Sequence, residues 1–131
     1  MKLMYSAQLL DHFQNPRNAG DLPDADAVAE LENPVCGDVI RLSLKLHDGR
    51  IGEIRFKAKG CVPSMACGSA LTELVRGKTV EEARRLHRDE IIALVGALPQ
   101  ASSHAAQLAL DALRAALSRL ESTRHSARSG K

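Results

Sequence analysis

Tryptophan is absent from these 131 residues, and one tyrosine and two phenylalanines are the only aromatic side chains. A core without large rings has to be filled with Leu, Ile, Val and Ala, which suits helices packed on a small sheet. Strong charge of either sign is also missing: the formal net charge is +2 and the pI is near 8.6. That leaves no electrostatic footprint for a nucleic-acid partner. No apolar run approaches the roughly 20 residues that span a bilayer, and Met1 to Leu10 has no signal-peptide core. A cytoplasmic chain with no membrane partner is therefore expected. Cysteine is scarce and odd in number, three in all. Without a secretory signal, this argues against a disulfide framework and for thiols used as ligands, nucleophiles or core filler.

The chain is long enough for one domain with a real core, and its 44% hydrophobic content is ordinary for a globular protein. No internal repeat is visible. The stretch Asn33 to Cys67 organises the rest. Ile40, Leu42, Leu44 and Leu46 alternate with Arg41, Ser43 and Lys45, and Ile54, Phe56 and Ala58 alternate with Arg55, Lys57 and Lys59. Both runs predict half-buried strands. His47-Asp48-Gly49-Arg50 between them is turn chemistry, so the strands form an antiparallel hairpin. A simple two-residue Asp48-Gly49 loop sets Leu42 against Arg55 and mixes the faces. The pattern favours a three-residue His47-Asp48-Gly49 loop with a bulge, in which Leu42 meets Ile54 and Ile40 meets Phe56. Extended backwards, either register brings Asn33-Pro34-Val35-Cys36-Gly37-Asp38 beside Lys59-Gly60-Cys61.

Around this hairpin, Ser6 caps a first helix that ends near Asn15-Pro16, and Arg17 to Asp26 reads as loop. Ala27 to Leu31 is the candidate third strand. Pro63 opens a helix after Cys61 that closes at Arg76-Gly77. Thr79 and Glu82 form a capping-box pattern for a helix through Leu86, and Asp89 to Val95 makes another. Ser102 or Ser103 caps a long last helix, whose Leu108, Ala109, Ala112, Leu113, Ala116, Leu117 and Leu120 form a broad apolar stripe. That helix reads as the main packing helix. From Glu121 the chain has no apolar face, so residues 121–131 are expected to be a disordered tail on a domain spanning 1–120.

Cys36 and Cys61 lie in Gly-flanked connections rather than on apolar faces, which favours a chemical role over burial. Gly37 and Gly60 would let the backbone approach a bound ion. Cys61 sits at a helix N-terminus near Lys59, a setting expected to lower its thiol pKa. Asp38 is either a strand-end aspartate or part of a site. His104 is either an exposed first-turn residue or, if that helix start abuts the hairpin end, a ligand. Cys36, Asp38, Cys61 and His104 would together suit zinc or an iron-bearing centre. Cys67 shares a helix face with Leu71 and Leu74 and reads as buried, with a reserve role as thiol. His12, His47, His87 and His125 read as surface residues. Arg84, Arg85 and Arg88 read as a solvated face or a contact for an acidic partner.

Several separated motifs resemble the iron-sulfur assembly scaffolds, namely the IscU, NifU N-terminal domain and SufU proteins. They are Asp11-His12-Phe13-Gln14-Asn15-Pro16-Arg17-Asn18-Ala19-Gly20, Asn33-Pro34-Val35-Cys36-Gly37-Asp38, Gly60-Cys61 and Gly77-Lys78-Thr79-Val80-Glu81-Glu82-Ala83. The resemblance runs from Met4 to Leu120. It implies an α+β fold, a three-stranded antiparallel sheet packed against several helices. It also implies a binding protein rather than an enzyme, one that receives sulfur from a cysteine desulfurase, assembles a [2Fe-2S] cluster and passes it to apo iron-sulfur proteins. Cys36 and Cys61 match two family cysteines, Asp38 matches the aspartate ligand, and His104 matches the histidine before the third cysteine. That third cysteine is Ala105 here, so a persulfide would fall to Cys61, Cys36 or Cys67. The chaperone-binding segment of the IscU type is altered to Leu98-Pro99-Gln100-Ala101-Ser102, which weakens the case for an Hsp70 partner. The resemblance leaves three expectations: a scaffold holding iron, zinc or a labile [2Fe-2S] cluster; a zinc-dependent sulfurtransferase of SufU type; and a desulfurase-binding adaptor without metal.

Overall fold

The structure is a computed structural model that describes residues 5–34, 37–96, 98 and 104–129, with side chains described as far as Leu120. Eight elements follow in order: α1 (Ala7–Gln14), β1 (Ala27–Glu32), β2 (Val39–His47), β3 (Arg50–Lys59), α2 (Val62–Val75), α3 (Val80–Arg84), α4 (Arg88–Val95) and α5 (His104–Ser129). The strands form one antiparallel sheet in the order β1-β2-β3. This is the expected α+β architecture. The expectations for Pro99, Ser102 and Ser103 lie outside the described residues; α5 runs on to Ser129, past residue 121 where a disordered tail was expected to begin, and no side chain beyond Leu120 is described.

The hairpin differs from the expected register. Asp48 and Gly49 both have positive φ, 53° and 78°, and His47 pairs with Arg50 across a two-residue turn. Such a turn matches the right-handed twist of the flanking strands. The face conflict is resolved inside β3 instead of in the loop. Lys45 pairs with Glu53 and Leu46 with Ile51, so Gly52 is the extra residue of a bulge. Below the bulge Leu44 meets Ile54, Leu42 meets Phe56 and Ile40 meets Ala58. The bulge returns Ile51 to the inner face, where it is fully buried. One step beyond the last pair, Val39 with Lys59, places Asp38 across from Gly60.

The inner face of the sheet carries Ala27, Ala29, Ile40, Leu42, Leu44, Ile54 and Phe56, all buried. Helix α2 packs over β3 and α5 over β1 and β2, while α1 and α4 cover α2 from the far side. Helix α2 is thus enclosed on nearly every side, with Ala66, Cys67, Ala70, Leu71 and Val75 fully buried. That makes α2, rather than the longer α5, the centre of the packing. Burying a side chain such as Leu71 contributes roughly 1.5–3 kcal/mol, and removing it would leave a cavity that small neighbours cannot fill.

The outer edge of β3 is covered. Phe56 donates its N–H to the Asn18 carbonyl at 2.9 Å and accepts from Gly20 N–H at 2.8 Å. At the other end Ile51 exchanges bonds with Lys78 and Gly77, each at 2.8 Å. The loop after α1 is therefore pinned against the sheet, and the edge offers little to a foreign strand. The Thr79–Glu82 capping box is present, although α3 ends at Arg84 rather than Leu86. Among the described residues no helix is long and apolar enough to cross a membrane.

Candidate metal centre

Three elements meet at the open end of the hairpin. Asp38 stands just before β2, Cys61 caps the N-terminus of α2, and His104 begins α5. Their ligand atoms all lie within 4.8 Å of one another, and theirs is the cluster of this kind among the described residues. One carboxylate, one thiol and one imidazole therefore converge from positions remote in sequence.

The Asp38 carboxylate is the hub, only 4% exposed. Its Oδ1 accepts the backbone N–H of Cys61 at 3.2 Å. Its Oδ2 accepts the Cys61 thiol at 3.0 Å and the Ser64 hydroxyl at 2.7 Å, with Nε2 of His104 at 3.6 Å. The approach depends on Gly60. A Cβ at that residue would stand 2.0 Å from Asp38 Oδ1, and its φ of 134° is one that L side chains rarely adopt. Upstream, Gly37 N–H donates to the Asn33 carbonyl and Asn33 N–H to the Asp38 carbonyl, at 2.7 and 2.8 Å, which ties the start of β2 to the end of β1.

The thiol of Cys61 is held above its ordinary range, opposite to the expectation from its helix terminus. Burial is the main cause; acceptance of the thiol proton by Asp38 adds to it, while hydrogen bonding from Ser64 pulls the other way. Helix-end charge and Lys59 do not prevail because burial disfavours the charged thiolate, which would also face a carboxylate across a short contact. A cation placed among the three donors reverses that balance, since it attracts both anions and takes the place of the proton. The donors fit zinc or iron: one sulfur, one nitrogen and one oxygen. A shallow cavity of about 280 Å³ opens beside His104, lined also by Asn33, Pro34, Gln107 and Asp111.

Cys36, the fourth expected ligand, lies outside the described residues. Cys67 is fully buried, and desolvation pushes its thiol up to about 12, so it is core filler rather than an available thiol. Ala105, at the position of the third family cysteine, is buried beside His104. Ser64 was not anticipated from the sequence. Its spacing of three from Cys61, in the first turn of a helix opened by Pro63, is the one signal that places its hydroxyl next to the sulfur. His12 was expected at the surface and is instead 5% exposed, its Nδ1 2.8 Å from Ser69 Oγ and its Nε2 3.4 Å from Glu73. The apolar face of α1 packs on α2 and carries His12 in with it. His47 and His87 are exposed as expected, and the side chain of His125 is outside the described residues.

Comparison with known proteins agrees with this architecture. The family model of the NifU-like N terminal domain matches residues 4–127. The iron-sulfur cluster assembly scaffold protein IscU 1 of Archaeoglobus fulgidus is 46% identical over 114 residues, covering 87% of this chain and 74% of that protein. The corresponding IscU of Aquifex aeolicus is 39% identical over 119 residues, covering 89% of this chain and 76% of its own. Among solved structures, an N-terminal NifU-like protein from Brucella abortus superposes with a TM-score of 0.74 at 24% identity, covering 91% of this chain and 95% of that one. The sequence match over most of the length and the shared fold lead to one conclusion: this chain belongs to the NifU-like N terminal domain family.

Proposed function

We propose that this chain is an iron-sulfur cluster assembly scaffold, which holds iron or a labile [2Fe-2S] cluster at Asp38, Cys61, His104 and Cys36. The observation that carries this reading is the gathering of three unlike donor atoms within 4.8 Å at a half-exposed end of the fold. Cys36 is two residues from Asp38 in the chain. Zinc suits the same donors and would be a resting occupant when iron and sulfide are lacking.

Sulfur would come from a cysteine desulfurase as a persulfide. A thiolate of the scaffold attacks the terminal sulfur, the donor's S–S bond breaks, and the donor cysteine leaves as a thiolate. Cys61 is the described thiol with access for this step, and the burial of Cys67 leaves it out. Apo iron-sulfur proteins would receive the finished cluster. With two thiolates, one carboxylate and one imidazole in place of an all-thiolate cage, the cluster would be held loosely enough to leave.

Anaerobic reconstitution with ferrous iron and sulfide tests the reading. Wild type should retain iron and sulfide in equal amounts with visible charge-transfer absorption, and Cys36→Ala and Cys61→Ala should lose most of it. Retention of neither element, with Cys36→Ala indistinguishable from wild type, would refute it.

A further inference from the structure

We propose that Ser64 is a positioning residue of this centre: its hydroxyl fixes the Asp38 carboxylate so that an arriving cation meets oxygen, sulfur and imidazole already gathered. The inference rests on the metal-centre reading above and concerns a residue outside the donor set itself. Ser64 is 2% exposed, in the first turn of α2, three residues after Cys61. Its Oγ lies 2.7 Å from Asp38 Oδ2 and 3.3 Å from Cys61 Sγ. One hydroxyl therefore spans the Asp38 carboxylate and the thiol that would become a thiolate when a metal binds.

What separates this contact from ordinary packing is what survives loading. Oδ2 accepts from both the Cys61 thiol and the Ser64 hydroxyl. When the thiol gives up its proton to become a ligand, its bond to Asp38 disappears. The Cys61 N–H at Oδ1 and the Ser64 hydroxyl at Oδ2 remain, one anchor on each oxygen. Those two anchors would hold the plane of the carboxylate for an arriving cation. The hydroxyl places a neutral donor beside a negative atom in a buried position, where such bonds are strong. An alanine at this position would remove that donor from Oδ2 and loosen the hold on the carboxylate. Partners of this kind, which orient a ligand without touching the metal, typically change metal affinity 10–100-fold when removed.

The test is an anaerobic titration of the metal-free protein with Co²⁺, read from the thiolate-to-cobalt absorption, with thermal melting measured in parallel. Ser64→Ala keeps a good helix former at a helical position but removes a buried hydrogen bond, so it should still fold cooperatively and melt only a few degrees below wild type. Its cobalt dissociation constant should rise about tenfold or more, with a weakened or shifted charge-transfer band. Ser64→Thr, which retains the hydroxyl, should stay close to wild type in both. Equal cobalt affinity in wild type and Ser64→Ala would overturn the assignment, and so would equal weakening in the alanine and threonine variants, which would point to packing. Failure of the wild-type protein to bind cobalt at all would overturn the metal-centre reading and this inference together.

Discussion

Two histidine-bearing polar clusters sit along α2, one at its N-terminus and one from its middle towards its C-terminus, and they are built for different ends. At the N-terminus, His104 and Cys61 are each part-exposed and face a buried Asp38, so an ion can reach donors that the fold has brought together. Further along the helix, His12 has both ring nitrogens occupied by groups of the protein, with Ser69 on one side and Glu73 on the other. Ser69 also accepts the Arg17 N–H at 2.9 Å, and Arg17 reaches Asp11 at 2.6 Å, which ties the loop after α1 to the same knot. A buried histidine whose partners are complete fastens helices together. One whose neighbours are a thiol and a carboxylate, with an opening to solvent, offers itself to a ligand.

The contrast is sharpest in the effect of removing a ligand. Cys61→Ala should lower metal affinity by more than about 100-fold, the order expected when a directly coordinating group is lost rather than a supporting one, while its melting temperature stays near that of wild type. Isothermal titration with Zn²⁺ beside a melting curve checks both halves. A large loss of stability with intact binding would reverse the roles assigned to the two clusters.

Gly60→Ala should damage both stability and binding. The added Cβ collides with the Asp38 carboxylate and stands at a left-handed φ. A cost of about 1–3 kcal/mol is expected for the strained backbone alone, measured by urea unfolding, together with weakened zinc binding because Asp38 must move. Unchanged values for both would mean that the close approach of Gly60 to Asp38 is not maintained in solution.

His12→Ala should show the opposite signature to Cys61→Ala. It leaves Ser69 and Glu73 without their partner and opens a cavity between α1 and α2. A loss of about 1–3 kcal/mol is expected, with zinc affinity unchanged. Impaired zinc binding in a folded His12→Ala variant would show that the two clusters are coupled along α2.

A smaller effect concerns pH. Burial, assisted by Arg17, holds His12 below its ordinary value of 6.5, although Glu73 and Asp11 pull upwards. The native state thus keeps His12 neutral where the unfolded chain takes up a proton, and the unfolded state binds more protons. Stability from this source is complete above about pH 6.5 and declines as pH falls from there towards the folded value. Urea midpoints at successive pH values should show this decline in wild type and a shallower one in His12→Gln. Parallel profiles would place the pH dependence elsewhere.

Much of the fold was written in local pattern. Alternation in β2 and β3, the Ser6 cap, Pro63 in the first turn of α2 and the Thr79–Glu82 box each act over a few residues, so the sequence displays them directly. The hairpin register was harder, because parity can be restored in a loop or by a bulge within a strand. Gly52 is where the chain does it, and a glycine in a strand was the available clue. Asp38 and Cys61 could be brought together from strand pairing, and His104 only on condition that α5 began at the same end. The buried state of His12, the hydroxyl of Ser64 and the raised thiol of Cys61 depend on how α1, α2 and β2 dock. Those are tertiary effects, and no spacing along the chain encodes the burial that reverses an expected pKa shift.

The most direct measurement is cobalt binding to the metal-free protein, compared among wild type, Cys61→Ala, His104→Ala and His12→Ala. Wild type and His12→Ala should bind with a thiolate-to-cobalt band, Cys61→Ala should lose the band, and His104→Ala should bind more weakly with altered ligand-field absorption. Binding that is indifferent to Cys61 and His104 would contradict the account at its centre.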